Sequence, residues 1–131
     1  MQHLLFTFFL SLFLTGLLYI IWFNSTKRGF EEGQAMTLLL AIGNLFQNVI
    51  LALAALPVLQ LSKEKIYNDV PVRRLYYFSG PVLLTSAFVL FVGNSAEDKI
   101  GFLLPGLSFI AIHSYFYFKL IKEKANNQLN R

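Results

Sequence analysis

The sequence contains no cysteine and little charge. Without cysteine there is no disulfide scaffold, no thiolate metal site and no cysteine nucleophile. Asp, Glu, Lys and Arg make up 14% of the 131 residues, against about 25% in an ordinary soluble domain. A disordered chain is low in hydrophobic and aromatic residues, whereas this one is 56% hydrophobic and 16% aromatic. A soluble domain of this length could not bury so much apolar surface and would expose large sticky patches. These absences leave a membrane protein.

Sequence signatures of catalysis are also missing. There is no H-E-x-x-H, Walker loop, GxSxG, GxGxxG or paired-carboxylate arrangement. The chain is read as a non-enzyme, with no metal or cofactor expected. A lipid-acting enzyme with His113 as base is the weakest reading. Nucleic acid is not an expected partner, because the basic residues are divided among connecting segments and lack a single stripe.

What the sequence has instead is four apolar runs, at about 4–23, 35–61, 75–93 and 100–118. A helix needs roughly 20 mostly apolar residues to cross the hydrocarbon layer. Barrel strands would alternate apolar and polar residues over about 10 positions, and these runs do not. Helices also satisfy their backbone internally, as a bilayer demands. The first run is read as a mature span and not as a secretion signal. Met1, Gln2 and His3 supply no Lys or Arg, and Asn24-Ser25-Thr26 does not resemble a small-residue cleavage site. That triplet matches a glycosylation acceptor, but it abuts the membrane and reads first as a helix end.

The expected architecture is an all-α membrane protein: an antiparallel four-transmembrane-helix bundle with short loops and both termini cytoplasmic. It forms a single domain over 1–131, with a short tail at 119–131. Short links make consecutive helices antiparallel neighbours. The orientation follows from Lys and Arg. Eight lie in the second link and the tail, among them Lys63, Lys65, Arg73, Arg74, Lys119, Lys122 and Lys124. Three lie on the other side: Lys27, Arg28 and Lys99. The expected location is the plasma, or inner, membrane. Tyr19 and Trp22 are expected at the outer interface, and Tyr76, Tyr77, Tyr115 and Tyr117 at the inner one. The Val70-Pro71-Val72 stretch is expected to be extended, and Arg73 and Arg74 beside it are candidate partner or lipid contacts. Pro57, Pro81 and Pro105 each predict a helix kink.

No Asp, Glu, Lys or Arg lies in the core of any run. This argues against proton pumps, ion exchangers and voltage sensors, which carry intramembrane charge. The remaining polar residues form stripes. In the second run Thr37, Ala41, Asn44, Asn48, Ala52 and Ala55 fall within an arc of roughly 80°, with Gln47 beside it. Asn44, Gln47 and Asn48 either bond across to another helix or line a solute path. Packing is the first of these readings. Thr7, Ser11 and Thr15 repeat at four-residue spacing, and Ser79, Ser86 and Gly93 at seven. Both sets read as helix-packing seams. His113 is read as a neutral, hydrogen-bonded packing residue, with proton relay or metal binding as alternatives and a His3–His113 pair geometrically allowed.

Two functions follow as expectations. The first is a non-catalytic subunit, regulator or immunity-type partner that acts through helix contacts within a membrane complex. The second is a small oligomeric channel or facilitator with an amide-lined path. The expected partners are the lipid bilayer and either further copies of the chain or another membrane protein.

Overall fold

The computed structural model describes residues 2–25, 30–92 and 95–129. They are almost entirely helical. The order is α1 (Gln2–Ser25), α2 (Phe30–Ala54), a 3-10 segment (Leu56–Ser62), α3 (Glu64–Asn68), α4 (Val70–Ala87), a π-helical segment (Phe88–Val92) and α5 (Ala96–Leu129). Four stretches are long and apolar enough to span a membrane: Gln2–Trp22, Leu38–Ser62, Val70–Val92 and Asp98–Asn126.

The third and fourth spans start earlier than the apolar runs do. Asp69 is the extended residue, and its carboxylate accepts from the Val72 backbone N–H at 3.2 Å. It therefore caps α4. Pro71 then sits in the first turn, where its missing N–H has no intrahelical partner to lose. The Val70-Pro71-Val72 stretch is thus the start of a helix, not the extended segment expected. Likewise the Ser95 N–H donates to Asp98 Oδ2, and the Asp98 N–H donates to Ser95 Oγ, both at 3.0 Å. This reciprocal pair is a capping box, and it opens α5 before Lys99. The fourth span is correspondingly longer than expected, and α5 continues to Leu129.

At Pro57 the helix type changes. The last α-type bond runs from Ala55 N to Leu51 O, and Val58 N then bonds three residues back to Ala55 O. Proline in the first turn starts the 3-10 segment cleanly. Pro81 and Pro105 lie inside α4 and α5 and are buried.

The packing is inverted relative to a soluble protein. Phe9, Phe13, Phe46, Leu83 and Phe91 are exposed, Phe91 to 83%. Thr7, Ser11, Asn48, Thr85, Ser108 and His113 are buried. Such a surface suits lipid, which is as apolar as leucine.

Cross-helix contacts pair α1 with α2 (Ser11 with Asn48), α1 with α5 (Tyr19 with Gly101, His3 with Phe116) and α4 with α5 (Tyr77 with His113, Phe88 with Phe102). In these α1–α5 and α4–α5 pairs one residue number rises as the other falls, so the helices run antiparallel. Leu51, Ala55 and Phe109 form the apolar centre where α2 meets α5. Two glycines allow close approach. A Cβ on Gly80 would strike the Ala54 carbonyl, and one on Gly106 would strike the Thr85 side chain.

Candidate functional site

The polar seam begins with a backbone problem. Proline has no N–H, so the carbonyl four residues before it loses its helical partner. Within a bilayer that carbonyl has no water to turn to. Pro81 orphans Tyr77 O, and Pro105 orphans Gly101 O. Each of these carbonyls meets a side-chain donor from another helix. The His113 ring nitrogen Nε2 lies 3.0 Å from Tyr77 O, and Tyr19 Oη donates to Gly101 O at 2.5 Å. One residue on, in the same opened turn, Gln47 Nε2 donates to Phe102 O at 2.7 Å. Tyr19 from α1 and His113 from α5 thus cap the carbonyls that proline orphans in α5 and α4, and Gln47 from α2 adds a bond to the neighbouring carbonyl.

The second part of the seam joins α1 to α2. Ser11 Oγ donates to Asn48 Oδ1. Asn48 Nδ2 donates to Asn44 Oδ1 at 2.7 Å and to Asn44 O at 3.0 Å. Asn44 Nδ2 reaches Leu12 O at 3.4 Å, a long bond. Both asparagines and Gln47 are buried. Thr7 Oγ1 turns back onto His3 O at 2.8 Å. The buried Thr15 Oγ1 and Ser108 Oγ have no hydrogen-bond partner. The structure therefore places Thr7, Ser11, Thr15, Asn44, Gln47 and Asn48 in the interior, with the amides bonded to neighbouring helices.

The Ser79, Ser86 and Gly93 stripe does not form one buried face. Ser79 is half-buried and Ser86 is exposed. Gly93 lies outside the described residues. The buried face of α4 is Tyr77, Pro81 and Thr85, at four-residue spacing. Close packing at Gly106 turns Thr85 inward, and Ser86, one residue on, faces away. Ser86 borders an open groove of about 380 Å³ lined largely by Val82, Val89, Leu90, Leu103 and Leu107.

His113 is 2% exposed and lies among aromatic rings. Its centroid is 4.0 Å from that of Tyr77, stacked, and 5.6 Å from that of Phe109. A carbonyl only accepts, so Nε2 carries a proton. Nδ1 is buried with no partner. His3 packs on Phe116 at 5.3 Å between ring centroids, so the two histidines have different neighbours. No group of three His, Cys, Asp or Glu able to hold a metal occurs among the described residues.

At the end carrying the second link, Arg73 turns inward. Its Nη1 donates to Tyr67 O at 3.0 Å and its Nε to Tyr117 Oη at 3.3 Å. Tyr67 O belongs to the last turn of α3, where carbonyls lack helical partners. Arg74 is exposed. Tyr19, Tyr77 and Tyr117 are buried against neighbouring helices, while Tyr115 is exposed. Tyr19 continues the four-residue spacing of Thr7, Ser11 and Thr15, but its role as a donor was missed, as were Tyr77 and Tyr117 as packing rings. The available signal was the position of Gly101 and Tyr77 four residues before a proline.

Fold and seam together define a helical, multi-pass membrane protein whose interior amides are bonded within its own helices. No known family model, curated protein or solved structure matches the chain. Its function must therefore be read from these residues.

Proposed function

We propose that this chain works through helix contacts in the membrane, as a non-catalytic subunit, regulator or immunity-type partner of a larger membrane complex. The observation that carries this reading is the use of the span amides. Asn44, Gln47 and Asn48 are bonded to helix backbone and to one another, which favours packing over an amide-lined conducting path. The exposed apolar exterior supports it further, because both lipid and partner helices can lie against such a surface. Crosslinking in native membranes followed by mass spectrometry tests the proposal. It predicts discrete crosslinked species containing a partner or a second copy. A chain recovered only as a monomer contradicts it.

We further propose that both termini face the cytoplasm across the plasma, or inner, membrane. Support comes from the eight Lys and Arg of the second link and tail against three on the opposite side. Reporter fusions at Asn68 and Arg131 should both register the cytoplasmic side. An outer-face signal from either fusion contradicts this orientation.

A further inference from the structure

The strongest charge feature lies at the end of the molecule where α3, the start of α4 and the end of α5 meet. In sequence the cations there belong to two segments more than 40 residues apart. The structure ties those segments together. Arg73 bonds to Tyr67 O and to Tyr117 Oη. The Tyr67 ring then takes two cations, Arg73 Cζ at 4.8 Å and Lys124 Nζ at 3.5 Å from its centroid. Two like charges drawn to one ring repel each other, and a nearby anion offsets that repulsion.

The acids of this end are mostly occupied. The Asp69 carboxylate caps α4, and Glu123 pairs with Lys119 at 3.8 Å. Glu64 is left as an exposed carboxylate. Against it stand the exposed Lys63, Lys65, Arg74 and Lys122. The platform therefore carries a clear positive excess, fixed by the Arg73–Tyr67–Lys124 stack. It also sits where the apolar surface ends, with the exposed Tyr115 and Phe118 close by in sequence on α5. Tyrosine, with its polar tip, settles at headgroup depth.

We infer that this platform binds the phosphate headgroups of anionic lipids, with Lys63, Lys65, Arg74 and Lys122 as the contacting cations. The ligand is a lipid and not free phosphate, because the platform adjoins the apolar belt that would receive the acyl chains. Each cation near an anionic surface contributes roughly fivefold in affinity. The inference goes beyond the helix-contact reading and stands or falls separately from it.

The test uses the purified full chain in mild detergent. An equimolar mixture of phosphatidylglycerol and phosphatidylcholine is added, and the retained lipid is counted by native mass spectrometry. The expected result is preferential retention of phosphatidylglycerol that weakens as salt is raised. The variant K63Q/K65Q/R74Q/K122Q, with helicity checked by circular dichroism, should lose at least about tenfold of that preference. These four side chains are exposed, so the fold should survive, and the salt dependence of the unaltered chain provides a second readout. Equal retention of the two lipids, or an unchanged preference in the variant, overturns the inference. Inorganic phosphate competing as well as the lipid does would overturn its assignment to a lipid headgroup.

Discussion

His113 and Tyr19 each place one donor on a carbonyl that proline has orphaned, and Gln47 bonds the carbonyl beside one of them. Interhelical hydrogen bonds in membranes are worth about 0.6 kcal/mol on average and up to about 1.7 kcal/mol. Replacing His113 by Phe keeps the aromatic packing but strips Tyr77 O of its donor. Thermal unfolding of the purified chain should show a loss of about 1 kcal/mol for His113→Phe, and less for Ser86→Ala, whose side chain is exposed. Asn48 makes three bonds within the α1–α2 seam. Asn48→Leu should therefore lower stability, and the triple variant N44L/Q47L/N48L should lower it further. Liposomes carrying the unaltered chain should show no solute flux for these substitutions to change. A flux that vanishes in the triple variant would make the amides a path. At this scale the polar residues were legible in the sequence, because an amide inside an uncharged run must find a partner. Their partners were not, because a carbonyl orphaned by proline becomes a target only when the register of two helices is known.

Helix starts and close approaches govern the next scale. Asp69→Ala removes the cap of α4 and should cost about 1 kcal/mol, read as lower helicity and a lower unfolding midpoint. Gly80→Ala and Gly106→Ala put a Cβ against the Ala54 carbonyl and the Thr85 side chain, and both should destabilise. Gly16→Ala meets nothing within 4 Å and should be neutral or stabilising, since Ala favours the helix. Comparable midpoints for all three alanine variants would show that α4 does not depend on these approaches. The four spans were plain from apolar length alone. Their starts were not, because capping residues are polar and fall outside an apolar run. Asp69 and the Ser95–Asp98 pair look like loop residues until their backbone bonds are seen. The third-span stripe failed for a related reason. Its seven-residue spacing picked Ser79 and Ser86, whereas Pro81 and the contact at Gly106 set a face through Tyr77, Pro81 and Thr85.

Across the whole molecule, polarity is arranged from inside to outside. Phenylalanine and leucine cover the exterior, and hydroxyls, amides and an imidazole are buried in the centre beside Leu51, Ala55 and Phe109. In water this arrangement would aggregate, whereas in lipid the exterior costs nothing and each interior polar group needs a partner. The buried amides, Tyr19 and His113 serve the helices, Tyr19 and His113 by capping carbonyls that proline has orphaned. A double-mutant cycle between Tyr19 and Pro105 tests this most directly. Pro105→Ala restores an N–H for Gly101 O, so the Tyr19 hydroxyl then has far less to do. Unfolding free energies should show Tyr19→Phe costing about 1 kcal/mol in the unaltered chain and much less in the P105A background. An equal cost in both backgrounds would contradict the account.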